Sequence, residues 1–320
     1  MRFVKLDKFV LAIIVTVLMA YLYPDLGKGQ SAKVLSTISS IGVALIFFFY
    51  GLKLSPKQIG LGLKNWKLHL LIQLSTFIIF PLIVLSVYPF IAQASKTLWL
   101  SFLFLAALPS TVSSSVVMVS IAKGNVPSAI FNASISGLIG IIVTPLWVGL
   151  FLTQSASDFS LAEVYQKLLL EILAPVVLGL LLHRFLGAFA QKHKKQLTLF
   201  DKSIILLIIY KSFSKSFLDG IFDSLSILEL ILIMCVVIIL FFVIYFSIGF
   251  IAQKLNFSLE DRITAQFCGT KKSLVHGTVF SKILFQNAAI LGVILLPIMM
   301  FHAFQILVTS VIAAKHSRRP

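Results

Sequence analysis

Long apolar runs broken by short polar clusters set the pattern of this chain. A bilayer core of about 30 Å is crossed by roughly 20 apolar residues in a helix. Ten runs of that kind occur, at 8–23, 34–52, 68–91, 97–121, 127–152, 167–186, 202–218, 225–252, 260–284 and 288–313. They predict an all-α integral membrane protein of ten transmembrane helices. The first run follows Arg2, Lys5 and Lys8, as the apolar part of a signal peptide would. Tyr21, Tyr23, Pro24 and Asp25 stand where the small residues of a cleavage site belong, so this run is read as a span.

Composition closes off other classes. Of 320 residues 59% are hydrophobic and 12% charged, and the mean hydropathy is +1.03, far from a soluble domain. The 29 Phe and the Leu, Ile and Val runs exclude disorder. A net charge of +16 would suggest nucleic acid in a soluble chain. Here the basic residues gather in short loops, with no basic stripe carrying stacked aromatics, so no nucleic-acid partner is expected and the charge reports topology. Cys235 and Cys268 lie in apolar stretches and the six histidines form no HxxxH pair. Neither a disulfide framework nor a metal centre is expected, and no cofactor beyond a coupling ion.

With the N-terminus in the cytoplasm, most of the 27 Lys and Arg, among them Arg2, Lys5, Lys57 and Lys64, fall in inner segments. The outer loops then hold Lys28, Lys33, Lys96, Lys167 and Lys282. Both termini are therefore expected in the cytoplasm, with the chain in the plasma (inner) membrane. The polar stretches 53–67 and 187–201 are loop-sized, so 1–320 is read as one domain. A midpoint near Gln154–Glu163 divides the runs into two halves of five, 1–153 and 154–320. An odd number of spans gives the halves opposite orientations, the inverted-repeat geometry of secondary transporters.

The fourth run of each half is irregular. Pro109-Ser110-Thr111-Val112-Ser113-Ser114-Ser115 places a proline and five hydroxyls inside the first, and Cys268-Gly269-Thr270-Lys271-Lys272-Ser273 places a glycine and two cations inside the second. Pro removes a helical hydrogen bond and Gly weakens a helix, so backbone groups are freed at both places. Freed backbone at membrane depth is tolerated where it lines a cavity or packs in protein, and such paired breaks point to a substrate and ion site. A simple kink, with the hydroxyls bonded back to their own helix, is the alternative for the first break. It suits the second less well, because each central lysine costs at least roughly 2.5–3.5 kcal/mol to insert.

Three stretches carry a resemblance: Phe48-Phe49-Tyr50-Gly51-Leu52-Lys53-Leu54; Ala107-Leu108-Pro109-Ser110-Thr111 with Lys123-Gly124-Asn125-Val126-Pro127; and Phe267-Cys268-Gly269-Thr270-Lys271-Lys272-Ser273-Leu274. Over nearly its whole length the chain resembles the bile acid:sodium symporter superfamily, in its SBF-like branch, which includes the seventh member of the vertebrate solute carrier family ten. The resemblance implies a core and a panel domain, discontinuous helices four and nine crossing in the core, and alternating access for a small organic anion with sodium as coupling ion. It puts Ser114 and Ser115 at a Ser-Asn pair that binds sodium, Ser128 and Asn132 near ligands of the next helix, and Thr76 or Gln73 near a glutamine of the third. In span nine the relatives carry Glu-x-Gly-x-Gln-Asn, whereas this chain has Phe267-Cys268-Gly269-Thr270-Lys271-Lys272. The sodium-binding carboxylate is absent and cations replace the amides.

A cation held at the crossing can cancel the carbonyl dipoles of freed helix ends and attract an anion. A lysine kept from water can also load and release a proton, so a proton-coupled or sodium-independent carrier stays open, with His276 as a relay or as a packed core histidine. Both lysines share one cavity only where the helix is unwound, since neighbours on a helix point about 100° apart; otherwise one snorkels. Lys211 and Lys215 with Ser212, Ser214 and Ser216 make one face of span seven polar, either as a positive vestibule or as partners of Glu171 or Glu229. The resemblance also leaves open a membrane protein that regulates calcium handling. An enzyme is not expected, because Ser110–Ser115 have no Asp or His beside them in sequence.

Overall fold

The computed structural model describes residues 8–53, 65–91, 96–111, 113–152, 161–220, 226–285 and 290–319, and for Ser113, Leu161 and Val164 only the backbone. Arg2, Lys5, Leu54, Lys57, Lys64, Val112 and positions 154–160 of the midpoint, all used above, lie outside them, as do the first residues of the runs 225–252 and 288–313. Among the described residues there is no strand.

Among the described residues six helical stretches are long and apolar enough to cross a membrane: Gly29–Lys53, Trp66–Phe90, Val126–Leu152, Tyr165–Lys192, Ile227–Lys254 and Leu291–Ser317. Lys8–Leu22 and Lys96–Ala107 are shorter and apolar. The expected runs 97–121 and 260–284 are each two helices, Lys96–Ala107 with Ser113–Ile121 and Leu259–Thr270 with Leu274–Leu284. The stretch 187–201, read as a loop, is helical on either side of His193, within Ala174–Lys192 and Lys194–Leu218. Lysine is hydrophilic but a good helix former, so the helices run on past the apolar boundary.

Prolines shape two of the long stretches. Pro81 and Pro175 each follow a π turn, Ser75–Ile79 and Leu169–Leu173, in which the N–H of Phe80 reaches Ser75 O and that of Ala174 reaches Leu169 O. The wider turn makes room for a ring that would otherwise strike the carbonyl four residues back.

The helices pack in two groups. Gly29–Lys53 lies on Ala174–Lys192, and Lys8–Leu22 on Lys194–Leu218; elsewhere Leu291–Ser317 lies on Lys96–Ala107, and Ile227–Lys254 on Leu259–Thr270. Phe104, Phe241, Phe267, Phe280 and Phe301 are fully buried in the second group, while Leu181, Phe185, Phe246 and Phe250 face outward. An apolar exterior over a core holding polar groups suits a lipid surrounding.

Gly51 and Gly179 let the first pair of helices cross backbone to backbone: a Cβ on Gly51 would overlap Val176 O, and one on Gly179 would overlap Phe48 O. Gly51→Ala is expected to cost about 1–3 kcal/mol, read as a lower melting temperature in detergent. Gly249→Ala would press only on the movable end of Gln266 and should change it little. Equal effects would show that the close crossing is not what requires glycine.

Candidate functional site

The two breaks meet. Pro109 cannot donate, and the chain leaves helical geometry at Leu108–Thr111 and again at Lys271–Ser273. Ser273 N–H donates to Pro109 O at 2.9 Å, and Ser110 Oγ donates to Cys268 O at 2.6 Å. Each break thus satisfies part of the other's freed backbone.

The rest comes from elsewhere. Ala107 O accepts from Thr144 Oγ1 at 2.7 Å, and Ser110 N–H donates to Ser136 Oγ at 2.9 Å. Between those two hydroxyls lies Gly140, where a Cβ would sit 2.9 Å from Pro109 Cγ. Ser128, Asn132, Ser136, Gly140 and Thr144 are all buried, four residues apart on Val126–Leu152. That spacing winds slowly round the helix, by about 40° a step, so Ser136, Gly140 and Thr144 face the first break while Ser128 and Asn132 belong to a neighbouring cluster.

Lys272 closes the site. Its Nζ donates to Ala106 O at 2.5 Å, Thr76 O at 2.7 Å and Leu108 O at 2.9 Å. Those are the three hydrogen bonds an ammonium can make. Thr76 O is available because the π turn sends the N–H of Phe80 to Ser75 O, and Pro81 has no N–H to offer. The ring of Phe80 lies 4.2 Å from Nζ, a cation–π contact. The backbone of Lys272 is clamped by Gln305, whose Oε1 accepts from its N–H and whose Nε2 donates to its C=O, both at 2.8 Å. A buried cation is therefore held by carbonyl dipoles and a π face, and no ion pair to it is present among the described residues.

Lys271, equally buried, goes the other way. Its Nζ donates to Ser114 O at 2.9 Å and lies 3.4 Å from Ser114 Oγ. Ser114 Oγ donates to Thr111 Oγ1 at 2.9 Å, which pairs with Ser115 Oγ at 2.7 Å. The unwound segment lets both lysines turn inward. Neither snorkels, and their ammonium groups bond to different acceptors. Ser113 opens the second helix, and its side chain is outside the described residues.

His276 Nδ1 pairs with Ser273 Oγ at 2.9 Å, while its buried Nε2 has no partner among the described residues. Thr270 Oγ1 and Ser75 Oγ are also buried without one, close to Gly269, where a Cβ would stand 3.4 Å from Ser75 Cβ. Gln73, Ser128 and Asn132 form a second cluster. Asn132 Nδ2 donates to Ser128 O at 2.9 Å and lies 2.6 Å from His69 Nδ1, and its Oδ1 accepts from Gln73 Nε2 at 3.0 Å. Thr76 contributes its carbonyl to Lys272; its hydroxyl bonds back to Ile72 O.

Of the two readings of Lys211 and Lys215, pairing with Glu171 or Glu229 does not occur among the described residues. Lys215 pairs with Asp219 at 2.8 Å and Lys211 donates to Ser36 Oγ, whereas Glu229 caps its own helix through Ser226. Asp219 is one helical turn from Lys215, closer than either glutamate expected from the ends of other spans.

The SBF-like CPA transporter family matches residues 7–318. The chain belongs to that family. It is 39% identical to an uncharacterized protein of Pseudomonas aeruginosa over 98% of this chain and 93% of that one. It is 36% identical to YfeH of Escherichia coli over 98% and 94%. It is 30% identical to sodium/bile acid cotransporter 7 of Danio rerio over 97% and 93%. The family, with the apolar helices, makes this an integral membrane protein of the transporter class. Gln305, Ser136, Thr144 and His69 complete the two clusters and were not singled out from sequence, although the four-residue polar spacing of 128–144 was there to read.

Proposed function

We propose that the protein is a secondary active transporter of a small organic anion, working by alternating access around the crossing of the two interrupted helices, with Lys272 as a tethered cation in place of bound sodium. The observation that carries this reading is the Lys272 ammonium, with all three of its hydrogen bonds given to carbonyls of two different helical stretches. Carbonyls converging on one point form a cation site, and a covalently attached ammonium fills it without dissociating.

Ten spans in two inverted halves, 1–153 and 154–320, account for breaks at the same place in each half that bond to one another. The two packing groups serve as panel and core, rocking against each other about the crossing. The excess of Lys and Arg in the loops of one side puts both termini in the cytoplasm.

The test is the melting temperature of the purified protein in sodium chloride against choline chloride at equal ionic strength, since a ligand of the folded state raises it. No sodium-specific rise is expected. A rise of several degrees would return coupling to sodium and overturn the tethered cation.

A second reading is favoured by Lys271 and His276. Among the described residues Lys271 bonds to Ser114 alone and His276 Nε2 has no partner, so either can carry a proton. On that reading uptake by reconstituted protein stops when a pH gradient is collapsed, and persistence of uptake removes it.

A further inference from the structure

A cavity of about 390 Å³ opens where Gly29–Lys53 meets Lys194–Leu218, and Lys282 reaches it from Leu274–Leu284. Five lysines line it: Lys28, Lys33, Lys211, Lys215 and Lys282. Among the described residues only two have a carboxylate, Lys28 with Asp25 at 3.0 Å and Lys215 with Asp219 at 2.8 Å. Lys211 donates to Ser36 Oγ and Lys282 to Ser40 Oγ, the latter at 2.6 Å. Lys33 has no ion pair among the described residues. Glu171 lies within electrostatic reach of Lys282 without pairing with it.

Three cations thus face one space with donors unspent. Lys211 and Lys282 are partly buried on helices of a membrane protein, where an uncompensated charge is costly and marks a pathway or binding site. The first turn of Gly29–Lys53 borders the same space, and its N–H groups, which have no intrahelical acceptors, add positive potential. The exposed wall is more carbon than polar atoms, so it is the number of ammonium groups, not the polarity of the wall, that favours an anion of several charges. Apart from glycines, Ala32 and Ile208 are the apolar lining residues; the remainder are lysines and Ser36, Ser39 and Ser212.

We propose that this cavity binds a compact, hydrophilic anion carrying two or more negative charges on phosphate or carboxylate oxygens, in preference to an amphipathic monoanion. The inference rests on the transporter reading and narrows its substrate class. It also links binding to the crossing. Lys282 is on the helix that begins just after Ser273, so an anion drawing on Lys282 pulls the segment that holds Lys272. Charge neutralisation on binding permits the two helix groups to close over the anion, which three facing lysines would resist when empty.

The experiment is equilibrium binding by the full-length protein in neutral detergent, read as melting temperature, with inorganic pyrophosphate, citrate, cholate, and phosphatidylglycerol added as separate arms. Pyrophosphate and citrate are expected to raise it and cholate to leave it nearly unchanged. The rise should shrink in about 0.5 M sodium chloride, which screens exposed charge within a few ångströms. The double variant Lys211→Gln/Lys282→Gln should lose the response. Lys33→Gln, at an exposed position that folding does not depend on, should weaken apparent affinity roughly three- to tenfold.

No rise with either multivalent anion, an equal rise with cholate, or a response unchanged in both variants overturns the proposal. A rise with phosphatidylglycerol alone also overturns it and assigns the lysines to a lipid headgroup. Because binding is measured without transport, its failure is separable from failure of the transporter reading, which uptake tests.

Discussion

Lys272→Met is expected to abolish uptake by reconstituted protein and to lower its melting temperature. Methionine keeps much of the stem's volume and removes the donors, leaving Thr76 O, Ala106 O and Leu108 O buried without partners. Each unsatisfied carbonyl costs about 1–3 kcal/mol. Removing a buried charge recovers some desolvation cost, which is why apolar replacements of buried ion pairs are sometimes harmless. That compensation works when both partners go; here the three carbonyls remain and still point at one place. A net loss of about 3 kcal/mol or more follows. Lys272→Ala separates charge from packing, because it leaves room for a small cation. Methylammonium or sodium should raise the melting temperature of Lys272→Ala and leave the parent unchanged. A Met variant that melts and transports as the parent does, or an Ala variant indifferent to both cations, would show that the ammonium is dispensable.

The helices were legible because apolar length is imposed by the bilayer, and each of the ten apolar runs contains helix in its described part. Their ends were less so. Hydropathy reports where lipid stops, whereas helix ends depend on backbone hydrogen bonding, and Lys192, Lys194 and Lys195 continue or restart helices beyond the apolar zone. The crossing was legible for an energetic reason: a proline and paired lysines in apolar runs are expensive unless something compensates them. What compensates them was hidden. Thr76 was singled out for a family position, yet it acts through its carbonyl, exposed by a π turn whose only trace in sequence is Pro81. Ser136 and Thr144 read as ordinary small polar residues of a span, and only contact with Ser110 N–H and Ala107 O gives them a task. Lys28, Lys33 and Lys282 counted toward topology, and the fold alone brings them to Lys211 and Lys215.

Gln305→Leu is expected to have the next largest effect, although the side chain lies 33 residues from Lys272 in sequence. Its amide imitates a strand partner for one peptide unit, accepting from Lys272 N–H and donating to Lys272 O. This holds the unwound segment at the height where Nζ meets its carbonyls. Leucine fills similar volume and offers neither group, so a buried N–H and a buried C=O lose their partners together, at about 2–4 kcal/mol. The loss should appear both in melting temperature and in uptake, because the ammonium is no longer held in register. Gln305→Glu divides the effect. It keeps an acceptor for Lys272 N–H, gives up the donor to Lys272 O and brings a carboxylate beside the segment that carries Lys271 and Lys272. Its stability should fall between the parent and the leucine variant, while uptake should fall as far as in Gln305→Leu, since a carboxylate there competes with the carbonyls for the ammonium. Should Gln305→Leu melt and transport like the parent, the segment is held by Ser273 N–H on Pro109 O and by Ser110 Oγ on Cys268 O alone, and the clamp has no part in positioning the cation.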